Sequence, residues 1–320
     1  MPQNAHTQYT ADLTAHLKKY HRATFPQGDE LLDAKYSKKP RNPPVFTKDA
    51  AHQNLLLPPD NPALSARIRD LVPPNQRHKW YRSMKSSQAL AQSVFGALVV
   101  YDHLDCLTQI AADDGGLAFG SGPFDPADVK LEYSVGNLLH EPQPTSVDVW
   151  MPGRTLVCVE CKMTEAEVGA CSRPGKKKHA HPCDGTYTYQ AGRVHRCALA
   201  ADGVDYWDHI PAVLKWDVKN DASPCPLRRT YQLVRNVLAA TVEGGRVVAG
   251  RGHALLVYDV RNPVFQPHAG GTFEKLREQL IEPDLLRRCS WQRIIAAMAD
   301  FKDLRWLVHG LEEKYGIQPL

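Results

Sequence analysis

No run of about eighteen apolar residues occurs in this chain of 320 residues, and without one there is no candidate for a transmembrane helix. The opening Met1-Pro2-Gln3-Asn4 has neither the basic region nor the apolar core of a secretory leader, so a cytoplasmic, reducing setting without membrane attachment is expected. In such a setting the eight cysteines are not expected to be disulfides. The four that lie between residues 171 and 225 include no Cys-X-X-Cys pair, which removes the commonest zinc-finger and thioredoxin-like spacings from that stretch. No internal repeat is visible, so solenoids and propellers are excluded. Neither sign of charge dominates: the formal net charge is +4 and the sequence pI is ≈ 8.5, below the level of a strongly basic nucleic-acid-binding domain. Any polyanionic partner must therefore be met by local clusters of cations.

The chain does contain enough apolar material, 43%, to bury one large core. Residues 1–74 read as a short amphipathic helix over 7–21 followed by a proline-rich arm over 25–74. Residues 75–265 read as an α/β core carrying a polar insertion at about 166–226. Residues 266–320 read as C-terminal helices packed on that core, over 273–281, 285–298 and 304–315. Within the core, Ser86 and Ser87 precede a buried helical run over 88–107, broken only by Gly96. Residues 129–135 alternate like a strand, and 253–260 are so uniformly apolar that they suit a central strand covered on both faces.

The segment 145–162 is the most informative. It reads as two strands joined by a turn at Met151-Pro152-Gly153-Arg154. Residues two apart share a face of a strand, so Glu160 and Lys162 point one way and Val157, Val159 and Cys161 the other. Pairing through that turn brings Asp148 toward Glu160, with Lys162 beside them. Two carboxylates and an amine so gathered suit a hard divalent cation and a water. Downstream, 227–241 has apolar residues at helical spacing, while Arg228, Gln232, Arg235 and Asn236 share the opposite face.

Asp148 followed by Glu160-Cys161-Lys162 resembles the PD-(D/E)XK, or restriction-endonuclease-like, nuclease superfamily. Val147 stands where the superfamily usually has a proline, a position that takes no part in the chemistry. The resemblance implies an α/β fold, a restriction-endonuclease-like core with a mixed central sheet flanked by helices. It also implies a DNA endonuclease that uses Mg²⁺, with Mn²⁺ as a substitute, to hydrolyse phosphodiester bonds. Asp148 and Glu160 would be metal ligands, and Lys162 would orient or deprotonate the attacking water or stabilise transition-state charge. Tyr231-Gln232 resembles the superfamily's active-site helix, making Gln232 a fourth catalytic candidate. Many members add an acid from the helix before the sheet. Here that helix has Gln88, Gln92, Asp102 and Asp105 but no glutamate, so Glu132 is the preferred further metal ligand and Glu141 the substitute, with a solvent-facing role for Glu132 left open.

Four of the cysteines, Cys171, Cys183, Cys197 and Cys225, lie in the polar insertion, where a bound Zn²⁺ or an iron–sulfur cluster would supply order that apolar residues do not. Lys176, Lys177, Lys178, Arg228 and Arg235 flank the candidate site as DNA-binding cations. DNA is the expected substrate, RNA and a homodimer stay open, and the rival reading is a non-catalytic nucleic-acid-binding module with a structural Zn or Fe–S site.

Overall fold

The computed structural model describes residues 2–136, 138–141, 144–176, 180–190 and 194–320. Its centre is a five-stranded mixed sheet: β1 (Lys130–Val135), β2 (Thr145–Met151), β3 (Leu156–Cys161), β4 (Gly252–Tyr258) and β5 (Leu286–Ser290), in that spatial order. The pairs β1/β2 and β2/β3 are antiparallel, and β3/β4 and β4/β5 are parallel. Every residue of β4 is buried, as its nearly all-apolar composition requires of a strand covered on both faces; its histidine, His253, bonds the Ala118 carbonyl at 2.8 Å.

Alternation along the strands builds the two sides of the sandwich. Val149, Met151, Val157, Val159 and Cys161 join Leu255 and Val257 in one cluster with Leu90, Val94, Phe95 and Leu98 of the helix Ser87–Val100, here α2. On the other face Ala254 and Leu256 pack with Leu233, Val234, Val237 and Leu238 of the helix Tyr231–Thr241, here α3, and Val147 and Cys158 pack with its Ala239 and Ala240. The first helix, α1, runs Pro2–Thr24, longer than its sequence pattern suggests. Among the described residues no helix is long and apolar enough to cross a membrane.

Three differences from expectation have local causes. The helix that begins after Ser86, whose side chain accepts the Ala89 N–H, ends at Val100 and not near 107, because Asp102 turns into the left-handed region at φ 58°. Gly96 does not break it. A Cβ there would come within 3.2 Å of Ile68 and 3.3 Å of Leu71, so the glycine is a notch that lets the helix Pro62–Asp70 approach. The expected helix over 285–298 divides: Leu286–Ser290 becomes the edge strand β5, and Ser290 then caps Trp291–Met298 by accepting the Arg293 N–H. The insertion also contributes Tyr187, Trp207 and Trp216, whose rings meet at centroid distances of 4.1, 4.7 and 4.8 Å and which extend the cluster on the α3 face.

Candidate active site

The β-ladder opens where the acids lie. On one side Leu131 pairs with Val149 and Tyr133 with Val147, and Glu132, at φ 51°, interrupts the rungs between them. On the other side pairing of β2 with β3 stops at Val149 and Val159, one residue short of Asp148 and Glu160. Freed from pairing, the backbone at this point can use its groups locally: the Cys161 N–H donates to Asp148 Oδ2 at 2.6 Å. Lys162 is fixed from both sides of its peptide, its N–H bonded to Val257 O at 2.8 Å and its carbonyl to the indole of the fully buried Trp291 at 3.1 Å.

Glu160, only 2% exposed, is surrounded by donors. Lys162 Nζ lies 2.7 Å from Oε1, the Gln232 amide donates to Oε1 at 2.7 Å, and the Asn236 amide donates to Oε2 at 2.8 Å. Lys162 also donates to Gln232 Oε1 at 3.2 Å, closing a ring of three side chains. Such charge-assisted bonds hold a buried carboxylate in one orientation. Glu165 joins from beyond Lys162, accepting the Met163 N–H at 2.6 Å and the Ser87 hydroxyl at 2.8 Å.

The electrostatics show an excess of negative charge in a poorly solvated place. Burial, then the charges of Glu160 and Glu132, push the Asp148 carboxyl well above its ordinary value, against Lys162 and the Cys161 N–H. Burial, partly offset by a hydrogen bond from Gln88 and reinforced by Glu160, raises Glu132 to about 7. Burial disfavours the Lys162 charge, but Glu160, then Glu165 and Asp148, outweigh it and hold the ammonium above the usual lysine range. Three carboxylates share one ammonium. That donor set, hard anionic oxygens lacking cationic charge, fits a divalent cation such as Mg²⁺. Among the described residues no group of three acids, histidines or cysteines is already gathered to hold a metal ion, and Lys162 occupies the inner side of Glu160. The half-buried Glu132 also lines an open groove of ≈ 950 Å³ with Arg67, Gln76, Lys130 and Tyr133, so this acid is reached from solvent.

Glu132 supplies a pH test. A carboxyl whose folded value is raised stabilises the protein below its unfolded value, 4.5, and that contribution is lost as pH rises through about 7. In EDTA, the thermal midpoint is expected to fall between about pH 5 and pH 8 more steeply in the parent than in Glu132→Gln. Superimposable profiles would remove Glu132 from the acidic cluster.

The residues singled out in the sequence fall into three groups. Asp148, Glu160, Lys162, Gln232 and Glu132 are together. Arg235, expected to face phosphates, is turned to Glu141, which its guanidinium meets at 3.1 Å while Thr145, Tyr206 and Tyr231 donate to the same carboxylate. Arg235→Ala is accordingly expected to cost about 3 kcal/mol in urea denaturation, because it strips a poorly exposed carboxylate of its cation, with a much smaller change in DNA affinity. Lys176 and Arg228 are exposed, and Lys177 and Lys178 lie outside the described residues. The sequence reading placed Asn236 on the right face of α3 without giving it a role, although its spacing of four from Gln232 puts both amides over one acid. Glu165 was not singled out at all.

A family model described as restriction endonuclease associating with ARP matches residues 27–316. No curated protein and no solved structure matches the chain. The family match covers the arm, the whole sheet and the helices on both its faces, and with them every residue of the acid and lysine cluster. The chain thus belongs to the family of restriction endonucleases associating with ARP, a restriction-endonuclease-like nuclease family.

Proposed function

We propose that this protein is a divalent-metal-dependent DNA endonuclease that hydrolyses phosphodiester bonds. The observation that carries the reading is the meeting of Glu132, Asp148, Glu160 and Lys162 where the ladders of β1, β2 and β3 open. A mixed sheet between helices, with acid, acid and lysine on one hairpin, agrees with a restriction-endonuclease-like core. Asp148 and Glu160, with Glu132, would hold Mg²⁺ or Mn²⁺. When bound, such an ion neutralises a phosphate oxygen and makes a water more acidic.

The rest of the work belongs to the side chains. Gln232 and Asn236 hold Glu160 in one orientation, so no reorganisation is needed as charge develops. Lys162, held cationic by its acid neighbours, offers a donor to the attacking water or to the negative charge of the transition state. Burial of Glu160 and Lys162 lowers the local dielectric and strengthens these interactions. Lys176, on the insertion, and Arg228, just before α3, are exposed and would meet the phosphate backbone, a salt-dependent contribution. Cutting both strands of a duplex would call for two such sites, as in a homodimer.

The test is incubation of the purified chain with circular plasmid DNA in Mg²⁺, in Mn²⁺ and in EDTA. Nicked and linear products in either ion, and none in EDTA, are expected. DNA binding that survives chelation with no product in any ion would instead favour a non-catalytic binding module, and cleavage of an RNA circle alone would move the substrate class.

A further inference from the structure

Cys171, Cys183, Cys197 and Cys225 are spread over the insertion, yet all four line one small enclosed space together with Pro174 and Leu199. The backbone holds them there. The Cys171 N–H donates to Arg228 O at 2.9 Å, the Arg228 N–H to Cys225 O at 3.0 Å, and the Cys225 N–H to Gly185 O at 2.9 Å. The Gly185 N–H in turn donates to Cys183 Sγ at 3.4 Å. Arg173, two residues after Cys171, reaches across to Ala198 O and to Asp202, which fastens the turn beginning at Cys197. Four separate loops are thereby tied to one another, and each contributes a thiol to the same space.

Apolar packing does not account for this arrangement. Of the chain's other four cysteines, Cys158, Cys161 and Cys289 are wholly buried in strands of the central sheet, and Cys106 is half-buried in the short turn Leu104–Gln109. The four in the insertion are half-buried, on irregular loops, around a cavity of ≈ 20 Å³, the scale of about one water-sized body. All are free thiols. Soft thiolates in fours are what Zn²⁺ or an iron–sulfur centre requires. Among the described residues no three of them are yet close enough to hold an ion, so ligation would draw the side chains inward over a short distance.

We infer that Cys171, Cys183, Cys197 and Cys225 form a four-thiolate site for a single thiophilic metal ion, Zn²⁺ above all. The site is separate from the acids, and it stands or falls independently of the nuclease reading. It is nonetheless connected to them. Gly169, two residues before Cys171, accepts the Gln232 N–H at 3.1 Å, and a Cβ on it would collide with the Gln232 side chain. Arg228 and Cys225 immediately precede α3. A centre there would anchor the start of the helix that presents Gln232 and Asn236 to Glu160.

The experiment is metal analysis of the full chain purified anaerobically, with iron, acid-labile sulfide and zinc measured per chain. Reconstitution with ferrous iron and sulfide, or with Zn²⁺ alone, follows. Near-stoichiometric zinc with no matching sulfide is expected in the parent and in Cys106→Ser, with at least a tenfold loss in the double variant Cys183→Ser, Cys225→Ser; iron with stoichiometric sulfide would overturn the single-ion reading. Because that variant could misfold, alkylation of the native parent followed by peptide mapping supplies a second readout. Cys171, Cys183, Cys197 and Cys225 should be protected until a chelator is added, and then label together. Less than a tenth of an equivalent of any metal after both reconstitutions, or four thiols that label at the same rate with and without chelator, would overturn the inference.

Discussion

Asp148→Asn is expected to lose about 10³-fold or more of any Mg²⁺-dependent cleavage while the apo protein becomes more stable, not less. The amide keeps an oxygen for the Cys161 N–H, which Asp148 accepts at 2.6 Å, so the hairpin has no reason to rearrange. It removes one of three carboxylates whose mutual repulsion, with burial, lifts the Asp148 value. A carboxyl raised in the folded state costs stability increasingly as pH climbs above the ordinary carboxylate range, so at pH 8 in EDTA the variant should melt about 2 °C or more above the parent. Calorimetry and a plasmid assay on one preparation check both halves. Full cleavage by the variant would end the assignment of Asp148 to the chemistry.

Lys162→Met should also abolish cleavage, with the opposite signature in stability. Lys162 and Glu160 form an ion pair at 2.7 Å with side-chain exposures of 10% and 2%. Removing the cation leaves a buried carboxylate with only the amides of Gln232 and Asn236, beside two further acids. Breaking a buried pair from one side costs about 3–5 kcal/mol, so the EDTA form should show a lower urea midpoint. Mg²⁺ should recover much of that loss by supplying the missing charge, since a ligand that binds only the native state stabilises it in proportion to the logarithm of its concentration. Asp148→Asn, having lost a candidate ligand, should recover less. If Mg²⁺ leaves the Lys162→Met midpoint where it was in EDTA, the acids do not bind the ion.

Much of this site could be read before folding because strand alternation is a two-residue rule. It sorts Glu160 and Lys162 from Val157, Val159 and Cys161, and the structure keeps that division. What escaped depends on longer-range partners. Nothing local distinguishes Asn236, which holds Glu160, from any polar residue on an amphipathic helix, and nothing local turns Arg235 toward Glu141. Apolar spacing over 285–298 suits one helix and gives no sign of a strand at its start. Arg288 is in fact buried against Asp113, Asp114 and Glu274, so the strand is tolerated only because distant carboxylates neutralise it. The aromatic stack of the insertion joins Tyr187, Trp207 and Trp216 across stretches with no shared periodicity.

The backbone of Glu132 has a wider meaning. At φ 51° a side-chain-bearing residue sits where glycine would be more comfortable, a conformation that costs about 1–3 kcal/mol when imposed on an L-amino acid. Relief is one substitution away, yet it would delete a carboxylate from the cluster. A contorted mid-strand acid exchanges some folding stability for an oxygen in a place that ordinary pleating cannot reach, which is what the proposed cation site would require of this edge of the sheet.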